Sequence, residues 1–180
     1  MALGLNSIVT REIVARPSKA NKIVGSGLVL RFTAGLITAI LGISLASFFL
    51  DEGSLKLLMI LIISSTFNAS LVVDSWLQAK MANRQGAKVR LVILVLFSLA
   101  KLTAIKLNAD LSIFIYIASA EFIVSASLYA ACYHFLSSGL KSLRITIQEI
   151  KQLLLSGRWL LFSGIAAVIY LKVDQIMLGV

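Results

Sequence analysis

Five ionisable side chains interrupt segments of the sequence that are otherwise apolar: Arg31, Asp74, Lys101, Glu121 and Asp174. An ionisable residue at the centre of a membrane span costs at least about 2.5–3.5 kcal/mol on insertion scales, so such residues are kept where they are paired or where they line a wet cavity. The chemistry open to them is ion pairing, anion binding and the uptake of a proton or cation.

Lys101 and Glu121 lie on two apolar segments joined by a short turn near residue 109. They sit about 8 and 12 residues from that turn, and the difference is about 6 Å of helical rise. A lysine side chain can bridge this offset, so the spacing predicts an ion pair. Two interpretations stay open, a structural salt bridge and a cavity-lining pair that titrates.

Asp74 lies near the basic end of its segment, where Lys80 or Arg84 could pair with it, as an interfacial anchor or as a functional group. Arg31 comes one turn before a stripe of small residues on one helix face. Arg31 could snorkel to the nearby membrane interface, but the stripe permits close helix packing, so we expect Arg31 to point into the protein instead. The stripe consists of Gly35, Ala39, Gly42 and Ala46.

A polar stripe in the last segment ends at Tyr170 and Asp174. Its members recur at i, i+4, i+7 and i+11, which is one face of a helix. A narrow polar face on an apolar helix indicates that the helix borders an aqueous cavity. The stripe comprises Ser163, Ala167, Tyr170 and Asp174.

The elements that carry these residues are predicted transmembrane helices. About 20 apolar residues cross a bilayer, and the apolar segments are 27–50, 57–78, 91–108 and 111–135, with a fifth beginning near Trp159. Hydrophobic residues make up 59% of the chain and the mean hydropathy is +0.96, above the range of soluble domains. The sequence predicts an all-α membrane protein, a multi-pass helix bundle.

Positive charge alternates between the loops. Segments 1–26, 79–90 and 136–158 each hold four Lys or Arg residues, whereas 51–56 and 106–111 each hold one. By the positive-inside rule, the start of this chain lies in the cytoplasm. The same rule accounts for the net charge of +9, so no nucleic-acid partner is expected.

Segment 140–154 is predicted to be an amphipathic helix. Leu143, Ile147, Ile150 and Leu154 share one face, and basic or polar residues share another. Such a helix lies in the cytoplasmic membrane interface or acts as a soluble linker, and the interface is favoured.

Catalysis and cofactor binding find no support in the sequence. The single Cys132 excludes an internal disulfide, and the single His134 has no second ligand nearby, so no metal site is expected. Gly25 and Gly27 lack the rest of a nucleotide-binding fingerprint. We therefore expect neither an enzyme nor a bound cofactor.

Three sequence segments resemble bacterial polysaccharide flippases of the Wzx (RfbX-like) type, the O-antigen and capsule transporters of the MATE-like (MOP) superfamily. They are residues 5–14 (LNSIVTREIV), 73–78 (VDSWLQ) and 168–179 (VIYLKVDQIMLG). Such flippases resemble two six-helix lobes around a cationic cavity. The family often has a proline after the tryptophan that begins the last helix, and here Leu160 follows Trp159.

The resemblance implies that a lipid-linked oligosaccharide, carried on undecaprenyl pyrophosphate, is flipped across the bacterial inner membrane. Membrane lipids, a polysaccharide polymerase and a chain-length regulator are the implied partners. Residues 1–135 would be a partial N-terminal lobe, 136–158 a basic linker and 159–180 the truncated first helix of the second lobe, about half of a two-lobe transporter.

Three alternatives stay open. A drug or cation exporter of the same superfamily would share the helices. A membrane-embedded sugar polymerase or ligase would need a larger outer loop than 51–56 or 106–111 supplies. A non-transporting truncated fragment is the third alternative.

Overall fold

A computed structural model describes residues 5–48, 51–137 and 145–157, together with Leu143, Ala166 and Val173. These residues form α-helices and two short 3₁₀ turns, and the described part contains no strand. The helices are α1 (Leu5–Ala15), α2 (Ala20–Ala46), α3 (Glu52–Ser65), α4 (Leu71–Ala79), α5 (Asn83–Lys106) and α6 (Leu111–Leu136). A further helix, α7, spans 147–157.

Three helical segments of the described part are long and apolar enough to cross a membrane: Pro17–Ala46, Glu52–Ala79 and Leu111–Leu136. The prediction of an all-α membrane protein is thereby confirmed. Helix α5 has a similar length, 24 residues, but it carries Arg90 and Lys101, and its crossing of the membrane stays a prediction.

The helices extend beyond the apolar segments at the end of the bundle that carries the basic segments 1–26 and 79–90, here called the basic end. Helix α2 begins at Ala20, and α5 begins at Asn83, seven to eight residues before the apolar segments that the sequence delimits. The predicted boundaries were wrong there because a helix that leaves the bilayer can stay helical where its side chains become polar. The short turn between α5 and α6 makes these two helices antiparallel neighbours, as predicted.

The predicted single helix over 57–78 is interrupted. A 3₁₀ turn, Thr66–Ser70, separates α3 from α4. Where the turn begins, the Ser64 hydroxyl donates to the carbonyl of Ile60 at 2.8 Å, and the Thr66 hydroxyl donates to that of Ile63 at 2.7 Å. Hydroxyls that bond back to carbonyls of the preceding turn compete with the α-helical ladder and bend helices.

The small-residue face of α2 packs as predicted. A Cβ added at Gly35 would lie 3.5 Å from the Cα of Thr66, and one at Gly42 would lie 3.4 Å from the Cδ1 of Ile62. The opposite face of α2 carries exposed apolar side chains, including Ile40 and Leu45. This face suits contact with lipid, where apolar exposure has no cost.

The tightest core lies at the basic end of the bundle. There α1 packs along α4, and α2, α6 and α7 close around them. Its largest fully buried side chains are those of Trp76, Tyr129 and Tyr133. Gly27 lets α2 approach α4 closely, since a Cβ there would lie 3.2 Å from the Cγ1 of Val72.

The orientation predicted from the loop charges can be checked by cysteine labelling in a Cys132→Ser background. Cysteines at Gly53 and Asp110 should react with an impermeant thiol reagent that is added outside the cell. Cysteines at Gln85 and Ser142 should react only after the membrane is permeabilised. The reverse pattern would contradict the orientation.

Candidate functional site

The turn between α4 and α5 sets two charged side chains opposite each other. Met81 adopts a left-handed conformation with φ of 56°, and the N–H of Ala82 donates to the carbonyl of Leu77 at 2.9 Å. This closure of the helix end sends α5 back antiparallel to α4. Asp74, in the first turn of α4, therefore faces Arg90, two turns into α5.

Asp74 pairs with Arg90 through a salt bridge and also accepts a hydrogen bond from the Gln78 side chain at 2.8 Å. The Asp74 side chain is only 5% exposed, against 56% for Arg90. The predicted pairing with Lys80 or Arg84 is wrong. The ammonium of Lys80 instead lies 4.7 Å from the centre of the Trp76 ring.

Gly86 makes room for this ion pair. A Cβ at position 86 would lie 2.9 Å from Oδ1 of Asp74, closer than real Cβ contacts. Asp74 is already held by Arg90 and Gln78, so its carboxylate could not move away freely. A residue without a side chain is needed at this point of α5.

Lys101 and Glu121 form the predicted ion pair, and this prediction is confirmed. The ammonium nitrogen of Lys101 lies 2.7 Å from Oε2 of Glu121. Both side chains are partly accessible, at 42% and 34%, since they border an open cavity. The pair joins α5 to α6 about one and a half turns before the C-terminal end of α5 at Lys106.

The cavity measures about 300 Å³, within the lower part of the range of ligand pockets. It lies between the 3₁₀ turn with α4 on one side and helices α5 and α6 on the others. Arg90 and Lys101 mark its two ends along α5, about 16 Å apart by helical rise. Its wall includes Asn68, Arg90, Phe97, Ser98, Lys101, Glu121, Phe122 and Tyr129.

The sequence-predicted residues divide into three groups. Lys101 and Glu121 line the cavity. Asp74 lines a neighbouring cavity of about 360 Å³. Arg90, the partner of Asp74, lines both cavities. Arg31 lies apart from both, where its guanidinium donates to the Asn6 side chain at 2.6 Å. Tyr170 and Asp174 lie outside the described residues.

Sequence reasoning missed Arg90, Tyr129 and Asn68. One signal was available, because Arg90, Phe97 and Lys101 recur at i, i+7 and i+11 and so share one face of α5. Tyr129 carried no such signal, because α6 is apolar almost all round and no polar face singles it out.

Helix α7 packs on the bundle through a face that the sequence did not predict. Glu149, only 5% exposed, pairs with Arg16 and Lys19 at 3.4 Å each, and Leu153 is buried. The predicted apolar face is divided: Leu143 packs against the core and Ile150 is half-buried, whereas Ile147 and Leu154 are 81% and 43% exposed. The contact of Ile147 and Leu154 with the membrane interface stays a prediction.

Removal of one member of the Lys101–Glu121 pair is expected to lower the amount of folded protein in the membrane. Lys101→Met leaves the Glu121 carboxylate unpaired, and a second change, Glu121→Gln, should recover part of the loss. Because both side chains are partly accessible, we expect a coupling energy of about 1 kcal/mol. Losses that simply add in the double variant would show that the two residues do not couple.

This arrangement, a helical bundle with membrane-crossing segments around a polar cavity, defines the chain as an all-α membrane protein. The sequence model of the family described as "Polysaccharide biosynthesis protein" matches residues 1–180. The chain therefore belongs to the polysaccharide biosynthesis protein family. It matches neither a curated protein nor a solved structure in the same comparisons.

Proposed function

We propose that this chain belongs to a transporter that moves a lipid-linked oligosaccharide from the inner to the outer leaflet of the bacterial inner membrane. The observation that carries the proposal is the cavity between α4, α5 and α6, which keeps ionised and polar side chains within an otherwise apolar bundle. Membership of a polysaccharide biosynthesis family supports a glycan as the cargo.

The transport mechanism that we propose is alternating access. A glycan cannot cross the hydrocarbon core without help, because its polar groups would lose their hydrogen bonds to water. Two lobes that rock about the middle of the membrane expose a polar cavity to one side and then to the other. The described helices would form one wall of that path.

Coupling to an ion gradient is the part of the proposal that rests on sequence alone. About 16 residues separate Arg158 from Asp174, which is roughly 24 Å along a helix, so Asp174 would lie in the outer half of the membrane. A carboxylate there would repel a pyrophosphate but could take up a proton or cation. Tyr170 shares the polar stripe with Asp174 and would line the cavity between the two lobes. In the complete transporter that carries Asp174→Asn, the rate of cargo flipping should no longer depend on the ion gradient.

The transport proposal can be tested in a strain that lacks its own polysaccharide flippase. Expression of the full-length protein should restore surface glycan. In proteoliposomes, it should move a fluorescent lipid-linked oligosaccharide to the leaflet where an added quencher reaches it. Restored efflux of organic cations without restored glycan would instead favour a drug exporter.

Arg31 is proposed to bind the anionic part of the cargo. Arg31→Ala should abolish surface glycan at a normal protein level, and Arg31→Lys should restore it partly, because lysine lacks the bidentate geometry of arginine. Asn6→Ala is the matched control, since Asn6 is the side chain that Arg31 contacts. If Asn6→Ala causes the same loss, Arg31 serves only to tie α1 to α2.

A further inference from the structure

The charges around the cavity between α4, α5 and α6 cancel. Arg90 is neutralised by Asp74, and Lys101 is neutralised by Glu121. A phosphate needs cationic donors that no carboxylate already occupies, and the Glu121 carboxylate would repel it across a cavity of low dielectric. The cavity is therefore poorly suited to the anionic part of any cargo.

Several polar side chains lie on the cavity wall. The hydroxyl of Tyr129 is buried and makes no hydrogen bond of normal geometry, although it lies beside the Arg90–Asp74 pair, and Tyr129 as a whole is 1% exposed. Asn68, which is half-buried, and Ser98, which is exposed, also line the cavity. Buried polar groups are nearly always paired, so the Tyr129 hydroxyl is the group here that most favours a polar ligand.

These polar groups offer both donors and acceptors. A tyrosine hydroxyl and a carboxamide each donate and accept, and Glu121 keeps one carboxylate oxygen, Oε1, that Lys101 does not bind. Alcohol groups also donate and accept, whereas a phosphate at neutral pH mainly accepts. The donor and acceptor pattern therefore matches a ligand that carries several hydroxyls.

Two aromatic rings, Phe97 and Phe122, line the same cavity. The face of an aromatic ring is negative, and it attracts the slightly positive C–H groups of a partner. A sugar ring presents C–H groups on its faces and hydroxyls around its edge. The combination of rings, polar groups and cancelled charges fits one class of ligand.

We propose that this cavity binds an uncharged sugar residue of the cargo and leaves the pyrophosphate to another part of the transporter. The proposal rests on the proposed function and deepens it. Tyr129 and Asn68 hydrogen-bond the sugar hydroxyls, and Glu121 accepts from one of them. The two ion pairs hold α4, α5 and α6 at the spacing that the ring requires.

The test uses the full-length protein in nanodiscs with Ser98→Cys in a Cys132→Ser background. The rate at which N-ethylmaleimide alkylates this cysteine is measured with and without hexyl glucoside, hexyl galactoside, hexyl N-acetylglucosaminide or hexyl phosphate. At least one glycoside should slow alkylation about tenfold at saturation, and hexyl phosphate should not. The shared hexyl chain controls for simple partitioning into lipid.

Two tyrosine variants on α6 sharpen this test. Tyr129→Phe removes the cavity hydroxyl and should weaken the protecting glycoside about fivefold, the usual value of one neutral hydrogen bond. Tyr116→Phe changes a tyrosine of the same helix that is 53% exposed and should leave protection unchanged. Thermal unfolding of both variants checks that each remains folded.

Protection by hexyl phosphate without protection by any glycoside would overturn the proposal in favour of a phosphate site. The proposal would also be overturned if Tyr129→Phe and Tyr116→Phe weaken protection by the glycoside equally, or if no probe protects the cysteine at position 98. The proposed function is judged separately by glycan restoration in the flippase-deficient strain. A protein that restores glycan but shows no glycoside protection keeps the function and loses this inference.

Discussion

Replacement of Arg90 by methionine is expected to lower the free energy of unfolding by about 3–5 kcal/mol, the cost of leaving a buried charge without its partner. Asp74 is the charge that would be stranded, since its side chain is only 5% exposed. Gln78 would remain as a neutral hydrogen-bond donor to it. Thermal and denaturant unfolding of the purified full-length protein measure the loss.

The reverse change should cost less. Asp74→Asn leaves Arg90 unpaired, but Arg90 is 56% exposed and can reach water or lipid head groups, so we expect a loss of about 1 kcal/mol. Gly86→Ala should lower the free energy of unfolding by an amount between these two losses, because the added Cβ displaces the Asp74 carboxylate. Gly53→Ala is the control, since Gly53 lies exposed in the first turn of α3 and a Cβ there would meet only the Asp51 side chain, at 3.5 Å. Equal losses for Arg90→Met and Asp74→Asn would contradict the burial argument.

Trp76→Ala is expected to destabilise the protein by about 3–5 kcal/mol, the usual cost of removing a buried large aromatic side chain. Trp76 is 1% exposed, its ring lies 4.8 Å from that of Tyr133, and the Lys80 ammonium lies over it. The resulting cavity would open the core at the basic end of the bundle. Unfolding curves and the amount of protein in the membrane report the effect.

Two aromatic controls separate packing from hydrogen bonding at this position. The indole nitrogen of Trp76 has no hydrogen-bond partner among the described residues, so Trp76→Phe should lose only packing volume and cost about 1–2 kcal/mol. Phe135→Ala removes an aromatic residue that is 84% exposed and should cost little. If Trp76→Phe proves as harmful as Trp76→Ala, the indole nitrogen has a partner after all.

The VDSWLQ segment, residues 73–78, has a structural role. Asp74 ties α4 to α5, Trp76 packs α4 on α6, and Gln78 orients the Asp74 carboxylate. The segment lies beside the cavity and fixes the helices that form its walls. We therefore expect changes in this segment to act mainly through the stability and geometry of this helical bundle.

The sequence alone determined the helical membrane class, the small-residue face of α2 and the Lys101–Glu121 pair. Each of these depends on a local repeat or on a short hairpin. Apolar length identifies a span, a spacing of three or four residues identifies a helix face, and a tight turn fixes the register of the two helices that it joins. Such features need no knowledge of distant contacts.

Only the tertiary structure decided the partner of Asp74, the docking of α7 and the cavity itself. Lys80 and Arg84 are nearer to Asp74 in sequence, but Asp74 pairs with Arg90. This pairing depends on the path of the turn at Met81 and on the space at Gly86. Glu149 meets Arg16 across 133 residues, and no spacing rule covers that separation. The buried hydroxyl of Tyr129 lies at the cavity because three helices enclose a space that none of them defines alone.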